Sequence, residues 1–582
     1  MVNQQIATTP TVHITKLTFS DDTSLAFSPG ETVLIVGPNN AGKSASLRAI
    51  RNKLSEPAST SPVLRSIEFT KHGTTSEFMK WIESWALRQE ANPQNPGFSA
   101  VGHTAYFSQI KNDWDRSDHS LGVVTRWMCH FLSADERLQI SKPPNNISLL
   151  RDPPAHPIHY LQRDDALELT LSSKFRAAFG MDLVVHRNAG NVVPLHVGQR
   201  PKPGSGEDRV SMGYITQLEK LPELHTQGDG MRSFAGVLLA TSIGRESILL
   251  IDEPEAFLHP PQARLLGTTL VRDRPSGRQL FIATHSTDIV QGVLNANDPN
   301  VKIVRIRRQG DVNHVRLLEN ARVQELWSDP LLRYSNILDG LFHEGVVVCE
   351  SDADCRFYAA VLDATQDSNS KRPDVLFTHC GGKDRLHIVI RALREVDVPV
   401  YAVADFDVLN NEETLKRIIE AFGENWVDFK QDWRSVKSAV DSKRPDLNAG
   451  DVKREFEKLL DPIAATTALP EKVRIELQAV LRKTSAWSYA KLAGKAFVPS
   501  GEPSKACERL LAALRSVGLY VVEVGEIERF APTEALHGPK WVNSVLKRDL
   551  AEDAELSVAR AFVTELVRGI ASVNTHNPAT SA

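Results

Sequence analysis

Residues 37 to 44 read Gly-Pro-Asn-Asn-Ala-Gly-Lys-Ser, and the run Glu31-Thr-Val-Leu-Ile-Val36 leads into them. A short apolar strand therefore feeds a glycine-rich turn that opens a helix, predicted over Ser44 to Leu54. Such a turn aims several backbone N–H groups at one point, where a helix N-terminus also favours negative charge. Gly37 and Gly42 allow backbone angles and close approach that a Cβ would obstruct. The pattern predicts an ATP or GTP site. Gly37, Asn39, Asn40, Ala41 and Gly42 would cradle phosphates, Lys43 would reach the β- and γ-phosphates, and Ser44 would ligate Mg²⁺.

The chain has 582 residues, too many for one hydrophobic core, so about two to four domains are expected. A net charge of −4 advertises no nucleic-acid partner in bulk, so any such surface must be a local patch. The five cysteines include no Cys-x-x-Cys pair, which argues for reduced cytoplasmic thiols rather than disulfides or zinc. No signal peptide is read at the N-terminus, and no apolar run approaches the about 18 residues a membrane span needs.

Short strands are predicted at Thr11 to Phe19, Ser24 to Phe27 and Glu31 to Val36. Residues 61–199 are rich in tryptophan and proline loops and read as an inserted helical module, a candidate for dimerisation. The first domain is thus split, over 1–60 and 200–335, and ends in a hairpin that turns at Gly310-Asp311. A second α/β unit spans 343–582, with a helical insertion at about 410–518.

Further motifs complete the first domain. Ile248-Leu-Leu-Ile-Asp252-Glu253 is a buried-strand run ending in two carboxylates. Asp252 would hold Mg²⁺, and Glu253 would orient and deprotonate water. Gln279-Leu-Phe-Ile-Ala-Thr-His285 ends in a histidine that can donate to the γ-phosphate. Gln227-Gly-Asp-Gly-Met-Arg-Ser233 places Gly228, Gly230 and Ser233 where a signature loop would pin a partner subunit's nucleotide. In this order the motifs resemble the ABC-type ATPase heads of chromosome-maintenance and recombination-repair proteins. That resemblance implies a homodimer or higher assembly sandwiching ATP.

The second unit gathers acidic strand ends. Gly345-Val-Val-Val-Cys-Glu350 is followed by Asp354, and Val398 to Asp407 ends in Asp405-x-Asp407. Residues two apart in a strand share a side, so this pair is expected to face one cation. A last strand, Tyr520 to Glu528, ends in a further carboxylate. Hard oxygens in such places suit Mg²⁺ or Mn²⁺, and several of them suit two metals on a phosphodiester.

Glu350 with Asp354, Asp405-x-Asp407 and Gly525-x-x-Glu528 resemble the Toprim site of overcoming-lysogenisation-defect (OLD) nucleases. In that family an ABC-type P-loop ATPase precedes a Toprim α/β domain, which is this chain's order. The nuclease subunit of Gabija and certain retron-associated effectors belong to the same group. The resemblance implies an ATP- and metal-dependent DNA endonuclease of anti-phage defence, with a helicase or a reverse transcriptase and its non-coding RNA as partner classes. It implies Glu350 as metal ligand or base, and Asp354, Asp405, Asp407 and Glu528 as metal ligands. Lys540, in His537-Gly-Pro-Lys540, would stabilise charge on the phosphate. The family glutamate is usually followed by glycine, and here by Ser351. A non-catalytic ATP-driven DNA sensor or scaffold is the alternative reading. The insertion's Trp426, Trp433 and Trp487 admit either a DNA-facing lid with stacking aromatics or a packing subdomain.

Overall fold

A computed structural model describes residues 9–89, 92–116, 120–318, 323–324, 337–366, 372–443, 449–463, 468–482 and 486–576. The chain forms two compact units, Met1–Trp327 and Ser328–Ala582. No helix among the described residues is long and apolar enough to cross a membrane. All five cysteines are buried and unpaired.

A six-stranded sheet centres the first unit. Its order is Val312–Leu318, Val301–Gln309, Thr32–Val36, Gln279–Ala283, Ile248–Asp252 and Cys129–Leu132. All neighbours are parallel except the hairpin of the first two. Thr32–Val36 is buried at every position, which is why its sequence is a continuous apolar run without alternation. Thr11–Phe19 pairs with Ser24–Ala26 on one side and Leu64–His72 on the other in a separate antiparallel sheet.

Those pairings change the reading of residues 61–199. Leu64–His72 belongs to the same sheet as Thr11–Phe19, and Cys129–Leu132 is an edge of the six-stranded sheet. Trp85, Trp114 and Trp127 are buried in the core cluster that also holds Leu47, Ile50 and Leu250. The segment is therefore not one separate helical module. It also carries a small three-stranded sheet and the hairpin strands Asp182–Val185 and Leu195–Gly198. Tryptophan density signalled shared core here rather than a foreign insert.

The second unit is built on four parallel strands in the order Val375–His379, Gly345–Cys349, Val400–Ala404 and Leu519–Val521. Val347, Val403, Phe357, Tyr358, Trp541 and Val563 are among the core residues between sheet and helices. Helices run from Glu412 to Val517 between the third and fourth strands. Trp426, Trp433 and Trp487 are buried there. Their indole N–H groups donate to Glu412 Oε1, the Leu409 carbonyl and Asp441 Oδ1. None offers a face for a base, so these aromatics are packing groups and the stacking lid is not supported.

Candidate functional site

Three strand ends meet at the carboxyl end of the six-stranded sheet. Ile35 lies opposite Ala283, and Ala283 opposite Asp252. The phosphate loop, His285 and the Asp252-Glu253 pair therefore stand side by side. Gly37 has φ 147°, and a Cβ on it would lie 2.0 Å from the Ile306 carbonyl oxygen, so no side chain fits. The Lys43 ammonium donates to the carbonyls of Gly37 and Pro38 at 2.8 and 2.9 Å. Asn39 and Asn40 are exposed at the crest of the loop, and Ala41 is buried beneath it. Burial pushes the Asp252 carboxyl up, against the lowering effect of the nearby Ser44 hydroxyl. Asp252 Oδ1 is buried with no hydrogen-bond partner, which is how a carboxylate awaiting a cation looks.

Two residues here gave no signal in the sequence. Arg137 is fully buried and donates to the carbonyls of Asp252 and Glu253 at 2.7 and 2.9 Å and to Ser233 Oγ at 3.1 Å. Glu253 has φ 48°, a strained region for a non-glycine residue, and the Arg137 contact helps to hold it. Glu255 accepts from Thr284 Oγ1 at 2.7 Å and from the His285 N–H at 2.9 Å. The His285 Nδ1 lies 3.4 Å from Glu253 and 3.3 Å from Glu255.

The proposed signature loop needs correction at Ser233. Gly228 caps the helix Asp229–Ile243, and Gly230 lets that helix approach the Phe257 carbonyl, which a Cβ would meet at 2.7 Å. Ser233 lies inside the helix, fully buried, with its hydroxyl on Arg137. It is turned toward the unit's own interior, not toward a partner's nucleotide.

In the second unit the strands Gly345–Cys349 and Val400–Ala404 are neighbours, and their carboxyl ends bring acids together. Glu350, Asp405 and Asp407 each present a carboxylate oxygen within 4.8 Å of the others. The convergence does not come from strand alternation, because the strand stops at Ala404 and Asp405 caps a 3₁₀ turn, Phe406–Asn410. The turn swings Asp407 back toward Glu350. Glu350 Oε1 accepts from the Asp405 N–H at 3.1 Å. Asp407 Oδ1 is buried without a hydrogen-bond partner. Hard, crowded, underbonded oxygens fit a divalent cation.

Asp354 and Glu528 border the same cavity, of about 440 Å³, together with Glu350, Asp405 and Glu526. The expected strand to Glu528 ends at Val521, and Glu528 stands on a 3₁₀ turn, Ile527–Phe530, where it accepts from the Gly538 N–H at 2.8 Å. Ser351 caps the helix Asp352–Ala364, donating its N–H to Asp354 Oδ2 at 2.8 Å while its hydroxyl accepts from the Asp354 N–H. Its φ of −133° is open to any residue, so the serine costs the backbone nothing that glycine would save.

The lysines beside these acids are not the one expected. Lys540 is exposed and does not line the cavity. Lys383, from the glycine turn after His379, sits 2.5 Å from Asp407 Oδ2. Lys491 lies 2.8 Å from Asp405 Oδ2 and 3.9 Å from Asp407 Oδ1. It rides on a helix of the insertion, so motif spacing around the strand ends could not reveal it.

Burial pushes the Glu350 and Asp354 carboxyls up, and burial together with the Glu350 charge pushes Asp405 up to about 8. The unfolded chain releases the same proton near about 3.9. Between those values the folded protein holds a proton that the unfolded chain has lost. This group's contribution to stability therefore falls as pH rises from about 4 to about 8, then levels. Metal-free Asp405→Asn is expected to melt well above metal-free wild type at pH 8.5, by a margin that narrows at pH 5 and closes only near about pH 4. Equal melting at both pH values would show that Asp405 is not held in this way.

Residues 341–407, which carry Glu350, Asp354, Asp405 and Asp407, match the family model for the overcoming lysogenization defect protein-like TOPRIM domain. Residues 134–290, with Asp252 and His285, match that for an AAA domain of the AbiEii toxin, type IV TA system. Old nuclease of Escherichia phage P2 is 23% identical over 171 residues, 28% of this chain and 28% of that protein. The chain thus carries an AAA domain followed by an OLD-like Toprim domain. It spans little more than a quarter of Old nuclease's length in that match. A second relative, the uncharacterized protein MJECL11 of Methanocaldococcus jannaschii, is 30% identical over 101 residues, 16% of this chain and 89% of that protein. Among solved structures, an SMC head bound to the C-winged helix domain of ScpA aligns with 54% of the chain and 99% of its own length. Its identity is 13% and its TM-score 0.33. The SMC head of Thermotoga maritima covers 52% of the chain and 97% of itself, at 13% identity and a TM-score of 0.25. Those scores are too low to argue from. The ATPase assignment stands on the phosphate loop, the strand order and the AAA match.

Proposed function

We propose that this chain is an ATP-binding and ATP-hydrolysing DNA endonuclease of the OLD family that depends on Mg²⁺ or Mn²⁺ and is gated by nucleotide. The observation that carries the reading is the convergence of Glu350, Asp405 and Asp407 within 4.8 Å at neighbouring parallel strand ends. These three residues would hold one cation, and Asp354 and Glu528 border the same cavity and are available to a second. Bound cations supply Lewis-acid polarisation of the phosphodiester and a more acidic water. Glu350, buried and raised in proton affinity by that burial, is placed to take the water's proton.

In the ATPase unit, Lys43 and the loop from Gly37 to Gly42 would hold the phosphates, Ser44 and Asp252 the Mg²⁺, and Glu253 and His285 the water and γ-phosphate. A homodimer around nucleotide, DNA as substrate, and a role in anti-phage defence beside a helicase or reverse transcriptase follow from the family resemblance. The scaffold reading rested on Ser351, and that serine sits in an unstrained helix cap, so nothing favours it.

Purified chain is expected to nick supercoiled plasmid in Mg²⁺ or Mn²⁺, and more slowly when ATP is added. Binding of DNA without cutting, in either metal, would return the scaffold reading. Equal rates with and without ATP would remove the gating alone.

A further inference from the structure

The helical insertion contributes one side chain directly to the acidic centre. Lys491 belongs to the helix Ala486–Ala493, far in sequence from the strand ends that carry the carboxylates. Its place is fixed by backbone contact on both sides. Gly525, with φ 119°, lies so close to the Lys491 carbonyl that a Cβ would stand 2.1 Å from it. Gly494, with φ 57°, lies equally close to the Glu523 carbonyl, which also accepts from the Lys495 N–H at 2.8 Å. The end of the insertion helix is thus seated on the loop between the last strand and Glu528. Any side chain at either glycine would lift it off.

From this seat the Lys491 ammonium reaches two of the three converging carboxylates, at 2.8 Å from Asp405 and 3.9 Å from Asp407. A cation taking those oxygens would meet another positive charge within a few ångströms, where repulsion is strong. The lysine has room to leave. It is about a third exposed, at 35%, and it lines the cavity whose other walls include Asp354, Glu526 and Glu528. Glu526, assigned to neither cation, offers it another partner.

We infer that Lys491 is a positioning residue of the Toprim centre. It is a tethered counter-ion, delivered by the helical insertion, that holds Asp405 and Asp407 and is displaced when a divalent cation binds. The insertion thereby sets the metal affinity of the site. This rests on Glu350, Asp405 and Asp407 being metal ligands. A purely structural lysine would behave oppositely, because its loss would loosen the ligands and weaken binding.

The test is calorimetric titration of Mn²⁺ into the nucleotide-free full chain at pH 8, with Asp405→Ala as background. Lys491→Met and Lys491→Gln are expected to bind Mn²⁺ at least tenfold more tightly than wild type. Lys491→Arg and the neighbouring control Lys495→Met should stay within threefold of it. Unchanged or weaker binding by Lys491→Met and Lys491→Gln overturns the inference. If Lys491→Met does not fold by circular dichroism, the polar Lys491→Gln decides. If wild type gives no more heat than Asp405→Ala, the ligand reading itself has failed and the role of Lys491 falls with it.

Discussion

Asp405→Ala is expected to lower plasmid cutting more than about a hundredfold while leaving ATP hydrolysis unchanged. Changes to groups that merely support a metal ligand cost about 10- to 100-fold, and Asp405 stands at the centre of the cluster. It shares oxygens with Glu350 and Asp407 within 4.8 Å and donates its N–H to Glu350. Its removal takes away a proposed ligand and also the partner of the Lys491 ammonium. ATP hydrolysis is the internal control, since Asp405 belongs to the second compact unit and the phosphate loop to the first. Cutting by the variant within a few fold of wild type would place the chemistry elsewhere.

Lys43→Ala is expected to weaken ATP binding by about 10- to 100-fold, since a hydrogen bond from a charged group contributes about 1.5–3 kcal/mol. Hydrolysis should fall further, because charge develops at the phosphate that Lys43 reaches. The variant is expected to cut plasmid as wild type does without nucleotide and to ignore added ATP. A fluorescent ATP analogue measures the first effect and nicking with and without ATP the second. A variant that still answers to ATP would separate the gating from this phosphate loop. The fold should tolerate the change. The ammonium bonds carbonyls of its own loop, at Gly37 and Pro38, and the loop keeps its glycines.

The parts of this architecture legible in the sequence are those whose cause is local. A phosphate loop needs its glycines within eight residues, and a buried parallel strand announces itself as an apolar run ending in a carboxylate. Gly37, Asp252, Glu350 and Asp405 stand out in the sequence on those grounds. The hairpin at Gly310-Asp311 likewise followed from its turn residues, and its strands are Val301–Gln309 and Val312–Leu318.

What escaped depends on contacts between distant segments. Arg137 reaches Glu253 across 116 positions, and no periodicity marks a buried arginine that satisfies itself on carbonyls. Lys491 reaches Asp405 from an insertion whose charge pattern looks like any solvated helix. Tryptophan density does not by itself say what a segment packs against. Trp127 and Trp433 carry the same signal in sequence whether they pack or stack, and both are buried here. Asp405 and Asp407 converge as expected but by a 3₁₀ turn rather than by strand alternation, because the polar pair ends the apolar run that would have continued the strand.

The most direct measurement of the central claim is anomalous X-ray scattering from crystals of the chain soaked in Mn²⁺. A peak is expected among the carboxylates of Glu350, Asp405 and Asp407, at ligand distances of about 2.0–2.3 Å, with the Lys491 ammonium moved off Asp405 toward Glu526. Crystals that hold Mn²⁺ elsewhere, or nowhere in this unit, while Glu350, Asp405 and Asp407 stay as they are, would contradict it.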